Sequence, residues 1–442
     1  MRKYYTAFAI VALLAVVITA VCLISFEPVE SLMKPPMSDG ENHEIQLAFE
    51  EAVEKKYKMR VPISGDYRAA FIFNDFNGDL QDEVVVFYST DDALDIVRMN
   101  YMAKINQQWI SVADVESAYS EIHQVEFSDL DSDGIEEILV GWAIYQNDLS
   151  RNLSVYKLPL NNNGELEKIY SVQYSDFQSL DIDGDSVDDI AVFENVDATP
   201  SYMQLSFDSF DGEQIVRRAT INLDSSVYSV MNFSYDVSEL YGFTRMFVDG
   251  YKIDSGVVTE CIYFSEEHGT LEKLSSDGKI SVLSTRMTNI GCEDVNSDGL
   301  IDIPIEITLE NSKVISDKNS DAQPQSVIRW LNVDGKEYHV VANQMIYANN
   351  EFRIMLSEDW LDALTIENNY PEGAIYFYLT DSMNDVPLFE LKYVTAQAEE
   401  DSLSLNYKLL KRTDKGKLFY KVNYTDRKIL INRVTLDRII IV

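Results

Sequence analysis

Nine residues recur four times in this chain with their acids in the same places. The segments are 75–83 (DFNGDLQDE), 129–137 (DLDSDGIEE), 181–189 (DIDGDSVDD) and 294–302 (DVNSDGLID). Each carries Asp or Asn at positions 1, 3 and 5, glycine at 4 or 6, and a carboxylate at 9, and each runs straight into an apolar stretch. Together they hold 17 acids in 36 positions, where the average of 74 acids in 442 residues places roughly six. The first three begin 54 and 52 residues apart, and the last interval, 113 residues, is about twice that. A repeat of this length points to an array of similar units, each burying its apolar face against the next.

Carboxylates crowded in this way repel one another unless a cation sits among them. Ca²⁺ takes six to eight oxygen ligands at about 2.3–2.6 Å. Alternate residues of a tight loop point inward, which accounts for positions 1, 3 and 5, and glycine lets the backbone turn where a side chain would clash. A carbonyl near position 7 adds a ligand, and the acid at position 9 closes the cage. The predicted ligand sets are Asp75, Asn77, Asp79, Gln81 and Glu83; Asp129, Asp131, Asp133, Ile135 and Glu137; Asp181, Asp183, Asp185, Val187 and Asp189; and Asp294, Asn296, Asp298, Leu300 and Asp302. Up to four Ca²⁺ ions are therefore expected. An EF-hand closes with Glu at position 12 between helices. Closure at 9 ahead of a strand excludes it.

Between the loops, runs such as Glu83–Tyr88, Ile138–Trp142, Ile190–Phe193 and Ile303–Thr308 alternate with Asp/Asn/Gly turns, and Asn163-Gly164, Asp211-Gly212 and Asp334-Gly335 signal hairpins. Long helical periodicity is absent, so the body reads as mainly antiparallel β. A β period near 50 residues predicts propeller blades of about four strands. Residues 60–340 leave room for about five blades, and a ring of six or seven needs the C-terminal segment. The long interval fits a blade without a loop, near Phe233–Tyr251. At Asp75/Asn77/Asp79/Glu83, Asp129/Asp131/Asp133/Glu137, Asp181/Asp183/Asp185/Asp189 and Asp294/Asn296/Asp298/Asp302, the chain resembles FG-GAP/VCBS-type repeats, the calcium-loop blades also found in integrin α-chains. The resemblance covers about 60–335, without the Phe-Gly and Gly-Ala-Pro signatures. It implies extracellular adhesion or ligand binding on a calcium-stiffened scaffold. The overall layout also looks like that of envelope proteins of Gram-positive bacteria.

Arg2 and Lys3 precede an uncharged apolar run, Ala7–Phe26, of 20 residues. As a helix this spans ~30 Å, the thickness of a bilayer core. Residues 1–26 are thus expected to be a membrane anchor or signal segment, uncleaved in the first reading. The alternatives are lipidation at Cys22, as in a lipoprotein, and simple secretion. Either way the rest of the chain faces outward. Residues 27–42, with Pro28, Pro35 and Pro36, read as a stalk. Residues 43–340 form the propeller with an N-terminal helix whose apolar face is Ile45, Ala48, Phe49, Ala52 and Val53. Residues 309–326 are polar and expected to be a loop or linker, and Ser357–Leu361 a helical turn. Residues 341–442 are expected to form a small β-rich α+β domain. The last 42 residues carry 10 Lys/Arg against 4 Asp/Glu, while the chain as a whole is at −38. Cys261 and Cys292 either pair in a disulfide or are two separately buried thiols.

With 36 basic residues against 74 acids the chain repels phosphate backbones, so nucleic acid is not an expected partner. The four histidines lack ligand spacing, and no nucleophile elbow, P-loop or dinucleotide motif occurs. No catalytic residues are assigned. The expected function is an envelope-anchored, extracytoplasmic, calcium-binding β-propeller acting as a binding or adhesion module for a protein or glycan ligand. The alternative is an extracytoplasmic carbohydrate-active enzyme on the same scaffold.

Overall fold

A computed structural model describes residues 39–145, 151–159, 164–238, 242–274, 283–316, 322–334, 337–347, 351–380, 386–395, 406–424 and 432–441. The expected anchor, Cys22, residues 27–38 of the stalk, Asn163 and Gly335 lie outside the described residues, and residues 39–42 of the expected stalk belong to a helix instead. Among those described, no helix is long and apolar enough to cross a membrane. Of the described residues 59% are in strands and 8% in helices, so this part of the chain is mainly β, as expected. It forms two compact units: the described residues of Met1–Val125, Gly134–Gln146 and Ser154–Lys168, and those of Glu126–Asp133, Asn147–Leu153 and Ile169–Val442.

Four sheets follow in chain order. The first holds β1 (Tyr57–Met59), β2 (Phe71–Asn74), β3 (Glu83–Thr90), β4 (Ala93–Ile105) and β5 (Gln108–Glu116). Here β1 and β2 pair with the two halves of β3, and β4 and β5 follow in order. The second holds β6 (Glu121–Ser128), β7 (Glu137–Ala143), β8 (Arg151–Lys157) and β9 (Glu167–Tyr174), and the third β10 (Asp176–Leu180), β11 (Asp189–Val196), β12 (Tyr202–Phe210) and β13 (Ile215–Asn222). The fourth holds β14 (Val227–Ser238), β15 (Phe243–Lys252), β16 (Val257–Ser265) and β17 (Thr270–Lys273). Counting from β2, each is a four-stranded meander. The meanders start at residues 71, 121, 176 and 227, so successive starts are 50, 55 and 51 residues apart. The fourth contains Phe233–Tyr251, the stretch expected to form a unit without an acidic loop.

The second strands show why the apolar runs are continuous rather than alternating. Every residue of β3 and β7 is buried, so both faces of these strands are covered. Phe87 of β3 meets Trp142 of β7 edge to face at 6.0 Å. Phe207 of β12 meets Phe264 of β16 at 4.8 Å. At the start of the described chain, helix α1 (Asp39–Val53) lays Ile45 and Phe49 on Val84, Val86, Met102 and Trp109, the face its apolar spacing marks out.

The fifth sheet holds β18 (Ile303–Ile315), β19 (Gln323–Asp334), β20 (Glu337–Tyr347), β21 (Phe352–Leu356), β22 (Leu364–Asn369), β23 (Ala374–Leu379), β24 (Phe389–Val394), β25 (Lys408–Arg412), β26 (Lys417–Val422) and β27 (Ile440–Ile441). These ten strands curl into a half-barrel in the order β25-β26-β24-β23-β22-β18-β19-β20-β21-β27. Residue 340, where composition sets the domain division, lies within β20. The polar segment 309–326 is not simply a linker. Its described part extends β18 and β19: Ile303–Leu309 pair with β19, the register shifts, and Lys313–Ile315 also pair in parallel with β22. Hydrogen bonding to two neighbours makes this a strand despite its polarity. Helix α2 (Glu358–Ala363) is capped by Ser357, whose side chain accepts the Trp360 N–H. Helix α3 (Arg433–Ile439) precedes β27. Cys261 and Cys292 are free, buried thiols packed with Phe247, Ile303 and Val333.

Candidate metal centres

The first three acidic segments each link the first strand of a meander to its second: 75–83 joins β2 to β3, 129–137 joins β6 to β7, and 181–189 joins β10 to β11. The fourth, 294–302, leads into β18, and its ends are held by the antiparallel bridge Glu293–Asp302.

One hydrogen-bond plan recurs. The position-5 N–H donates to the carboxylate at position 1 in three loops: Asp79 to Asp75 (3.0 Å), Asp133 to Asp129 (3.1 Å) and Asp298 to Asp294 (3.2 Å). In all four loops the position-5 N–H also reaches the side-chain oxygen at position 3, at 2.9 to 3.3 Å. The position-6 N–H reaches the other oxygen of position 1 in loops one, three and four, at 2.8 to 2.9 Å. The closing acid at position 9 accepts the position-2 N–H: Glu83 from Phe76 (3.1 Å), Asp189 from Ile182 (3.0 Å) and Asp302 from Val295 (3.2 Å). Phe76, Leu130 and Ile182 at position 2 are buried.

The backbone explains the glycines. Positions 4 and 6 are left-handed in every loop: Gly78 and Leu80, Ser132 and Gly134, Gly184 and Ser186, Ser297 and Gly299, with φ between 57° and 86°. One of each pair is glycine, which takes this conformation without strain. A Cβ at Gly184 would meet nothing within 4 Å. Gly184→Ala is therefore expected to cost about 1 kcal/mol through backbone conformation alone. Urea unfolding measures this, and a stabilised variant would contradict the assigned geometry.

The electrostatics differ along each loop. Position 1 is half-buried, position 5 is exposed and position 9 is buried in all four. Burial pushes Glu83 up to about 7; the Phe76 N–H opposes this, and Asp79, Asp75 and Asp82 add repulsion. Burial likewise pushes Asp189 up to about 8 against the Ile182 N–H, with Asp183, Asp185 and Asp181 adding to it. Asp302 rises to about 6 for the same first reason, and Asp183 is also raised by its burial. Glu83, Asp189 and Asp302 thus sit where a negative charge is unfavourable until a cation accompanies it.

Two acidic clusters can hold a metal ion. Asp129, Asp131 and Glu137, and likewise Asp181, Asp183 and Asp189, each bring three carboxylate oxygens within 4.8 Å of one another. The other two loops carry Asn77 and Asn296 at position 3, one carboxylate fewer. The donors named are all oxygens, a set that fits a hard cation such as Ca²⁺ and does not favour a soft one. Gln81, Val187 and Leu300 at position 7 donate their own N–H to the position-5 carboxylate, at 2.8 to 2.9 Å.

Position 8, absent from the predicted ligand sets, ties loops to neighbouring sheets. The Glu136 N–H donates to Phe76 O (2.9 Å), and its carboxylate accepts from Asn74. Asp188 accepts from Ser128 (2.7 Å). The Ile301 N–H donates to Asp236 of β14 (2.6 Å). The signal was in the repeat itself, since position 8 is acidic in the first three loops. No family model matches the chain, and no curated protein matches it. The resemblance to FG-GAP/VCBS-type repeats therefore rests on the loop residues alone.

Proposed function

We propose that the four acidic loops are structural calcium sites, three of them on the blades of a β-propeller and the fourth at the entry to the ten-stranded sheet, and that the chain is an envelope-anchored, outward-facing binding module. The observation that carries this reading is the shared loop plan: alternate oxygens converge, positions 4 and 6 turn left-handed, and a buried acid closes the loop. Four sequential meanders at about 50-residue spacing support the blade reading. In it, Ca²⁺ supplies the positive charge that lets the closing acids ionise while buried. The chain's own residues orient the oxygens and fasten each loop to the strand it enters. Stiff loops then hold the surface that meets a partner.

Calcium stoichiometry by titration calorimetry on the full chain tests this. Four ions per chain are expected, and three for Asp183→Ala. Failure to bind calcium, or unchanged stoichiometry in the variant, would remove the metal assignment.

A further inference from the structure

A second recurring bond ties the acidic loops to one another. The residue just ahead of one loop donates to the position-8 carboxylate of the next. Asn74, ahead of the first loop, donates through Nδ2 to Glu136 of the second. Ser128, ahead of the second loop, donates through Oγ to Asp188 of the third, at 2.7 Å. Each bond thus joins the neighbour of one loop's first acid to the neighbour of the next loop's closing acid. Asn74 adjoins Asp75 and Glu136 adjoins Glu137; Ser128 adjoins Asp129 and Asp188 adjoins Asp189.

Further bonds brace both junctions. The Glu136 N–H donates to Phe76 O (2.9 Å), and the Phe76 N–H in turn holds the closing acid Glu83. A Cβ at Gly78 would come within 3.9 Å of Gly134 O. One oxygen of Glu126 accepts both the N–H (2.7 Å) and the hydroxyl (2.9 Å) of Ser179, two residues ahead of the third loop. Ser128 is only 3% exposed, so water does not compete for its bond. The fourth loop departs from this plan: its position 8 is Ile301, which has no carboxylate to accept such a bond. Loops tied in this way do not order independently. When Asp189 closes the third loop, Asp188 beside it is fixed, and with it Ser128 and the start of the second loop. Part of the ordering that the second loop needs is then complete before its own ion arrives, which is the condition for positive coupling. Repulsion between two bound ions acts in the opposite sense, but it is the same with or without the Ser128 hydroxyl.

We infer that the first three loops bind calcium as a coupled series, each filled loop raising the affinity of its neighbour through the bond to position 8. This rests on the calcium reading of the loops. Each loop carries its own glycine, Gly78, Gly134, Gly184 or Gly299, so ¹⁵N-glycine labelling of the full chain gives one NMR reporter per loop in a calcium titration. Asp183→Ala, which silences the third loop, is expected to raise the calcium midpoint of Gly134 by ~5-fold or more. Coupling is reciprocal, so Asp131→Ala is expected to move the Gly184 midpoint by the same factor. Ser128→Ala changes no ligand and no charge. In that background Asp183→Ala is expected to move the Gly134 midpoint by less than ~2-fold. Asn74→Ala combined with Asp79→Ala runs the same cycle on the first two loops, and decides the matter if the Ser128 variant does not fold. Asp298→Ala in the fourth loop is the control, expected to leave the Gly134 midpoint within ~2-fold. A Gly134 midpoint indifferent to Asp183→Ala, a shift undiminished by Ser128→Ala, or an equal shift from Asp298→Ala would overturn the coupling and leave the calcium reading standing. Failure of all four glycines to respond to calcium would overturn the calcium reading and the coupling with it.

Discussion

Asp249→Ala is expected to destabilise the chain by about 3–5 kcal/mol, the range for breaking a buried ion pair from one side. Asp249 and Arg286 are both fully buried and lie 2.8 Å apart. One oxygen of Asp249 accepts from Arg286 and from the Thr259 hydroxyl; the other accepts from the Cys292 N–H (2.6 Å) and from Asn232 (3.0 Å). Alanine leaves all four donors short of a partner and strands a guanidinium in the interior. Asparagine is not a rescue, because its NH₂ would have to face two donors on whichever side it lies. Replacing both charges with apolar residues is expected to cost less than the alanine variant, since no unpaired charge remains. Urea midpoints of the single and double variants give the comparison. A loss below about 1 kcal/mol for Asp249→Ala would mean that water or relaxation satisfies Arg286, contrary to the packing described. This network sits in and beside the fourth meander. There Arg245 and Asp236 form a second buried pair at 2.6 Å, and Asp236 also holds the Ile301 N–H of the last acidic loop. Paired side chains here take the place that acidic loops occupy in the first three meanders.

The parts of the fold that were legible in the sequence are those set by neighbours along the chain. The loop positions, the runs after them, the helix face at Ile45 and Phe49 and the loop-free unit near Phe233 all follow from local spacing. The left-handed position 4 or 6 was half legible: glycine marks one of each pair, while Ser132, Ser186, Ser297 and Leu80 occupy the other without a signal. Arg245 and Arg286 carry no signal in the sequence, because nothing local distinguishes a cation destined for the interior. The segment after Leu309 read as a linker because its partner strand, β22, lies about 50 residues further on. Its parallel pairing has no short turn to announce it.

Withdrawing calcium is expected to lower the melting temperature by about 8 °C at neutral pH. With a dissociation constant near 10⁻⁴ M, as in extracellular modules, 2 mM-scale calcium stabilises each site by about 1.8 kcal/mol. Four sites counted singly give about 7 kcal/mol, and at an unfolding entropy of about 2.1 cal/mol/K per residue each kcal/mol moves the midpoint of a 442-residue chain by about 1 °C. If only the two carboxylate-rich clusters at Asp129 and Asp181 bind, the shift halves. A titration is expected to fill those two first, because Asn77 and Asn296 leave the other loops with less negative charge. The pH dependence follows from the closing acids. In the metal-free chain Asp189 is raised to about 8 and Glu83 to about 7, so the folded state holds protons that the unfolded state has released. Stability without calcium therefore falls as pH rises from about 4, the unfolded carboxylate value, through about 8. Calcium must displace those protons, so at pH 7 binding releases them, and affinity drops as pH is lowered. Calorimetry in buffers of different ionisation enthalpy reads the proton release directly. A melting temperature indifferent to chelator across this range would mean that hydrogen bonds alone hold the loops, and the calcium reading would fall with it.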